Sequence, residues 1–542
     1  MMTPASTITV SSEITTLQLQ RILNRCREED IRKLVFAPGE YRLDPLYCSQ
    51  RNLNISNHGY NGPKRIGVLL ENMEDFEIDF GGSTLIADGI MTPIAILNSK
   101  NIRIRNVKLK NPTVPIWECR VVAHGDNYFD VENIYGFDKL EFRQGQYVAR
   151  YPGTMIGHII IAIAFDGQTG EVQVPYGSDP LGIHNMHVTF EPLENGQVRL
   201  WGSKRKPPIG NVLAFSCSRR MGCGIFCQHS ENLTFENVDI HSCYGMGLLA
   251  QVCRDMTLRS FNTVREDGRY TTASADATHF VACSGDILVE NSRFAGQLDD
   301  ALNIHGMYTR ILDKGDDWIL IHQVHHESHG IPIYEPGHRL NILAPDTLLP
   351  YSAKTLKAVE PLNDECAMLY LEESAADIRV GDDVENASLV ANLTFRNNIV
   401  RDNPARGMLV GAQGKVVIEN CLFHTTATAI KFESDGQFWF ESGGVRDVTI
   451  RNNVFDNCRE GWGTAIVEFQ PRPAREENRF FHDRVSICGN TFRDGISRLA
   501  AACDIRSLEI MGNRVEENPD AHVLISHVGS RRIQPDLYTE TE

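Results

Sequence analysis

What this chain lacks narrows its chemistry before any motif is read. No Lys/Arg-rich run stands out, and 70 acidic residues outnumber 53 basic ones, for a formal net charge of −17. Nucleic acid demands a positive footprint, so that partner is set aside. The same sign disfavours a polyanionic sugar unless a local basic cleft overrides the average. No stretch reaches about 18 uninterrupted apolar residues, and the opening MMTPASTITVSSEI has no basic segment followed by an apolar one. The expectation is no membrane partner and, for the sequence as it stands, the cytoplasm; removal of a leader would instead mean secretion.

Cysteine is sparse as well, with 14 in 542 residues. Several sit inside apolar runs, such as Cys283 in HFVACSGD and Cys421 in VVIENCLF, which reads as reduced core rather than a disulfide framework. The densest group, Cys217, Cys223 and Cys227 with His229, has the spacing C-x5-C-x3-C-x-H and lacks the C-x2-C knuckle of common zinc sites. No metal and no cofactor is therefore assigned. What the chain does hold is 42% hydrophobic residues, with 24 Phe and five Trp. That describes an ordered protein with a large core and length for more than one domain.

Helical periodicity is also nearly missing, and a short repeat stands in its place. An apolar residue, a polar one, an apolar one and then usually Asn recur in NIRIRNVKL (101–109), NLTFENVDI (232–240), DILVENSRF (286–294), NLTFRNNIV (392–400) and DVTIRNNVF (447–455). The first apolar positions of the full set are Phe76, Ile102, Leu233, Met256, Ile287, Leu393, Val416, Val448, Val485 and Leu508. Apart from gaps of 131 and 106, they fall 23 to 37 residues apart, the mark of a solenoid. Each copy alternates like a half-buried strand, and Asn suits the turn after it because it tolerates left-handed backbone. Stacked coils of this kind give an all-β parallel β-helix.

The open end of a solenoid needs a cover. Residues 15–36 supply a helical stripe of Leu17, Leu19, Ile22, Leu23 and Cys26, followed by the strand-like KLVFAPGEY. The two large gaps hold alternating segments that turn on DG and NG like antiparallel hairpins. This divides the chain into a cap with the first coils (1–114), an inserted β-rich domain (115–207), coils (208–307), a second β-rich insertion (308–391) and C-terminal coils (392–542).

One stretch carries the candidate chemistry. In FAGQLDDALNIHG (294–306) Asp299 and Asp300 are adjacent, and Asp276, in SADATHF, stands 23 residues before Asp299, the shortest coil length. Residues one coil apart lie at about the 4.8 Å strand spacing, so the three carboxylates converge on one face. They cannot all ionise at their usual pKa, so one should stay protonated beside one or two bases, the equipment of glycoside hydrolysis. Arg269, His279, Asn303 and His305 add hydrogen-bonding groups for a polyhydroxylated ligand. Gln251 and Arg406 lie at coil turns, and Glu433, Trp439 and Glu441 in KFESDGQFWFESGG offer a sugar-stacking platform with hydroxyl acceptors. All nine are candidate substrate contacts.

Together, YNGPKRIGVLLENMEDFEIDFGGS (60–83), GMGLLAQVCRDMTL (245–258), SADATHF (274–280) and GQLDDALNIHG (296–306) resemble glycoside hydrolase family 110. The resemblance covers most of the chain. It implies a right-handed β-helix with β-rich insertions and exo-acting, inverting α-1,3-galactosidase activity on blood group B or linear Gal-α-1,3-Gal termini. It also implies Asp276, Asp299 and Asp300 as the catalytic residues. By likeness to the Asp trio of inverting polygalacturonases, Asp299 would be the acid, with Asp276 and Asp300 activating water. The general rule for inversion places acid and base roughly 6.5 to 9.5 Å apart. The expected partner is a galactose-terminated glycan, and the resemblance with the two insertions makes room for a homodimer. Competing readings are a β-helix polysaccharide lyase, which the absence of a basic residue from Gly296 to Gly306 disfavours, and a non-catalytic carbohydrate-binding solenoid.

Overall fold

The computed structural model describes residues 7–541 except 30, 60, 115, 152–153, 159–160, 174–187, 204, 217–219, 459–460, 472–473, 477, 494, 496 and 517. Parallel strands stack coil on coil, and every repeat position pairs with the next: Phe76 with Ile102, Ile102 with Leu233, Leu233 with Met256, Met256 with Ile287, and Ile287 with Leu393. The series continues from Leu393 through Val416, Val448 and Val485 to Leu508. The two long gaps are thus excursions between neighbouring coils, as the repeat requires.

Inside the coils, apolar residues of equal register form columns. Phe423, Phe455 and Phe492 stack with centroids 5.4 and 4.9 Å apart. Each buried Phe contributes on the order of 2 kcal/mol of transfer free energy. At the turns, Asn106, Asn237, Asn291, Asn397, Asn420 and Asn452 sit at φ between 53° and 59°, the left-handed region Asn tolerates best after Gly.

The cap is the helix Thr16–Glu28, begun by a capping box of Thr15 and Gln18. Its buried stripe is Leu19, Leu23 and Cys26, while Ile22 is half-buried and Leu17, on the other side of the helix from Leu19, is 43% exposed. No helix among the described residues is long and apolar enough to cross a membrane.

The first excursion forms a six-stranded antiparallel sheet around Trp117, Phe129, Tyr147 and Phe215, with a three-stranded sheet beside it. It takes in the strand Val212–Ser216, past the boundary expected at 207, because that strand pairs with Ile116–His124. Parts of its expected hairpins, at 152–153, 159–160 and 174–187, lie outside the described residues. The second excursion begins as the strand Leu302–Lys314 leaves its coil, and it closes through Asp383–Asn386, which pairs back onto Tyr308–Arg310.

Candidate active site

Strand register builds the site. Thr278, Leu302 and Met408 occupy the same position in three stacked coils. Asp276, Asp300 and Arg406 each lie two residues before these positions, so the turns bring them into one column. The Asp300 backbone N–H donates to Asp276 Oδ1 at 3.3 Å across 24 residues. Asp300, rather than Asp299, is therefore the residue stacked on Asp276; the spacing of 23 used for the sequence reading is one short at this turn. Asp299 stands beside the column, and one oxygen from each of the three carboxyls lies within 4.8 Å of the others.

Fixed cations answer this charge. Arg406 donates from its backbone N and Nε to Asp300 Oδ1 at 3.0 Å each, with Nη2 2.8 Å from Oδ2. Arg220 donates to Asp299 Oδ2 at 3.1 Å and to the Asn57 carbonyl at 3.2 Å. Asp276 pairs with no guanidinium among the described residues; its Oδ2 lies 2.6 Å from His279 Nδ1. Burial raises the Asp276 carboxyl to about 8, the Asp299 charge adds to this, and Arg220 and Arg406 oppose it. Burial likewise holds Asp300 well above the ordinary carboxylate range while Arg406 pulls it back. The same burial keeps His279 neutral, well below its usual pKa.

The three carboxyls, Arg220 and Arg406 line a pocket of about 140 Å³ with Asn57, Asn303, Leu409, Glu433, Ser434, Asp435, Trp439 and Glu441. Asp276 and Asp300 are 3% and 1% exposed at its floor, whereas the Asp299 side chain is 30% exposed toward the mouth. Trp439 is held at the rim because Asp435 accepts the backbone N–H groups of Gln437, Phe438 and Trp439. Its ring packs 4.8 Å from His325 of the second excursion, and Trp439 and Phe438 remain 41% and 60% exposed. The buried Asn303 Oδ1 has no hydrogen-bond partner among the described residues, an acceptor open to a ligand hydroxyl.

Of the expected substrate contacts, Asn303, Arg406, Glu433, Trp439 and Glu441 line the pocket, and four do not. Gln251 is fully buried, donating to the Asn54 carbonyl and Gln228 and accepting from the Ser56 N–H, so it staples the N-terminal segment to the coil. Arg269 is spent on buried Glu118 at 3.1 Å and on the Tyr135 ring, joining the first excursion to the helix. His279 and His305 stand behind the pocket wall, Nε2 to Nε2 at 3.0 Å.

The sequence reading missed Arg220 and Asn57, which come from distant segments with no motif of their own. Cys223 and Cys227 are buried in coils with their thiols pushed up by burial, unlike zinc thiolates; Cys217 lies outside the described residues. Asp299 Oδ2 faces Arg220, and both oxygens of Asp300 face Arg406. Both arginines are held further into the charged range by the surrounding carboxylates, against burial.

Residues 377–533 match the model of a right-handed β-helix region, and residues 318–384 match GLAA-B β-barrel domain II. The chain is 30% identical to an α-1,3-galactosidase B of Parabacteroides distasonis, covering 93% of this chain and 85% of the relative. It is 31% identical to one of Bacteroides fragilis, covering 87% and 82%. An α-1,3-galactosidase A of Shewanella woodyi is 28% identical, over 92% and 82%. Among solved structures, a family 28 exopolygalacturonase of Yersinia enterocolitica aligns over 99% of this chain and 79% of its own at 11% identity, with a TM-score of 0.39, too slight a likeness to bear on function. Repeat, insertions and relatives agree: the chain belongs to the α-1,3-galactosidase family, glycoside hydrolase family 110.

Proposed function

We propose that this protein is an exo-acting α-1,3-galactosidase that hydrolyses terminal α-1,3-linked galactose with inversion, with Asp276, Asp299 and Asp300 as its catalytic residues. The observation that carries the reading is three carboxyls running from the pocket floor toward its mouth and facing two guanidiniums. A single terminal sugar fits a pocket of this size, and its glycosidic oxygen then faces the mouth, where Asp299 stands. Asp299 protonates that oxygen, and Asp276 with Asp300 takes the proton of the attacking water. Asn303, Glu433 and Glu441 meet the sugar hydroxyls. The exposed faces of Phe438 and Trp439 receive the departing acceptor sugar. The glycan is the sole partner the site calls on, with no nucleic acid or membrane; self-association through the excursions is read by light scattering.

Spacing favours a second reading. The carboxyl oxygens approach more closely than the general 6.5 to 9.5 Å rule for inversion, nearer the roughly 5 Å of retaining pairs. Against direct attack, both inner carboxyls are already held, Asp300 by Arg406 and Asp276 by His279 and the Asp300 N–H. A side chain so fixed accepts a proton from water more readily than it advances on carbon. Galactose release from linear Gal-α-1,3-Gal and from its fucosylated counterpart tests the activity. Proton NMR of the first product separates the mechanisms: β-galactose supports inversion, and initial α-galactose would put a carboxylate in the role of nucleophile.

A further inference from the structure

Behind the pocket wall, a chain of short polar contacts runs from Asp276 through two imidazoles to the backbone, and it constrains where protons sit. His305 Nδ1 lies 2.7 Å from the Gly306 carbonyl, which can only accept, so Nδ1 carries a hydrogen. Neutral His305 then presents a lone pair at Nε2 to His279 Nε2, 3.0 Å away, and His279 must donate there. Neutral His279 in turn presents a lone pair at Nδ1 to Asp276 Oδ2 at 2.6 Å. An ionised Asp276 would oppose that lone pair with its own. Every arrangement that satisfies both contacts needs one proton beyond the count for a carboxylate and two neutral imidazoles.

We propose that Asp276, His279 and His305 form a proton reservoir for the hydrolysis: one shared proton rests on Asp276 in the free enzyme, passes to Asp299 when the galactoside seats, and is replaced from the attacking water. This rests on the galactosidase reading above. The cycle balances. Asp276–OH and ionised Asp299 become, through a pocket water, ionised Asp276 and Asp299–OH as the sugar covers Asp299 and desolvates it. The attacking water then gives its proton to Asp276 as its oxygen bonds to the anomeric carbon, and the glycosidic bond breaks onto the leaving oxygen, which takes the proton of Asp299. Galactose and the free acceptor leave an enzyme protonated as it began, and no solvent proton is needed. His279 and His305 are positioning residues, since neither lines the pocket.

The groups facing this unit are consistent with a neutral Asp276. Arg220 and Arg406 pair with Asp299 and Asp300, which leaves no guanidinium among the described residues for a third carboxylate. His58, from the N-terminal segment, is kept neutral by burial, at about 3. The coil below presents Leu249 to His279. Glu441, 3.5 Å from His305 Nε2, pulls the other way, toward the shared proton on His305, and a missing carboxyl band would report that placement.

Infrared spectroscopy of the free enzyme tests the assignment without turnover. A protonated carboxyl band is expected at neutral pH, absent from Asp276→Asn and titrating with a midpoint near 8. In His305→Leu, His279 is free to move its hydrogen to Nδ1 and donate to ionised Asp276, so the midpoint falls by about one unit or more. The alkaline limb of kcat/KM, which reports the free enzyme, moves with it. His305→Gln offers a carboxamide oxygen to His279 and holds the limb in place. A wild-type enzyme that releases galactose yet shows no such band overturns the reservoir and leaves the galactosidase reading standing; no galactose release at all overturns the galactosidase instead. A His305→Leu enzyme slowed equally at every pH also overturns the reservoir. Should that variant not fold, the wild-type band and its loss in Asp276→Asn decide alone.

Discussion

Two columns of polar side chains run along this β-helix, built by the same stacking and put to opposite use. In the C-terminal coils Asn453, Asn490 and Asn513 pass hydrogen bonds upward: Asn453 Nδ2 donates to Asn490 Oδ1 and Asn490 Nδ2 to Asn513 Oδ1, each at 3.0 Å. The coils of the candidate site stack Asp276, Asp300 and Arg406 in a second column. An amide carries donor and acceptor, so it repeats on itself and is satisfied when buried. A carboxylate only accepts, so the second column closes only with guanidiniums, an imidazole and a proton. The fold provides the spacing in both, and the change from amide to carboxyl turns a structural ladder into a reactive one.

The largest effect should come from removing Asp299, the proposed acid at the mouth of the reactive column. Asp299→Asn is expected to fold normally and to lose about 10² to 10⁴-fold in kcat, the range of general acid catalysis. Circular dichroism and galactose release on one preparation check it, and near-normal turnover would move the acid elsewhere.

Putting the ladder's chemistry into the reactive column gives the next effect, of opposite sign on stability. In Asp276→Asn the amide Nδ2 donates to His279 Nδ1 and its oxygen accepts the Asp300 N–H, so both contacts are met without a proton. In the wild type the carboxyl is raised in the fold from 3.8 to about 8. Its stabilising contribution is therefore full below about pH 4 and is lost as pH rises toward 8. The variant should match the wild type near pH 4 and exceed it by an increasing margin, at most about 1.4 kcal/mol per pH unit, up to pH 8. Urea midpoints at three pH values measure this, and a constant difference would contradict it. Activity is expected to be lost at every pH.

Breaking the ladder should cost stability and spare chemistry. Asn490→Ala strands the buried Asn453 backbone N–H, removes one of the two acceptors of Asn453 Nδ2 and takes the amide donor from the Ile450 carbonyl. The cost is on the order of 1 to 3 kcal/mol, read as a lower urea midpoint with kcat per folded molecule unchanged. A drop in kcat would tie the two columns together.

How much of this was legible follows from what each signal depends on. The repeat positions were readable because alternation and period are local, and their register fell where the alignment put them, from Phe76 to Leu508. The recurring Asn was readable because left-handed backbone restricts residue choice. The carboxyl trio was readable as a cluster, but its register was not, since one extra residue in a turn shifts the stacked partner from Asp299 to Asp300. Arg220 reaches Asp299 across 79 residues with no repeat to mark it. Arg269 showed no sign in sequence that Glu118, from the first excursion, would claim it. Polar residues at coil turns look alike until the chain around them is placed.

The smallest expected effect is none at all, and it bears on why the reactive column holds together. Three carboxyl oxygens within 4.8 Å are a geometry that divalent cations also use. Here Arg406 donates twice to Asp300 Oδ1 with its Nη2 2.8 Å from Oδ2, and Arg220 donates once to Asp299, while Asp276 meets His279. Fixed guanidiniums and one proton thus do what a cation would do for such a cluster, and a divalent ion would have to displace them. Galactose release should therefore survive prolonged treatment with EDTA within experimental error. Turnover lost to the chelator and restored by Ca²⁺ or Zn²⁺ would show that the arginines give way, and that the column is closed by a metal instead.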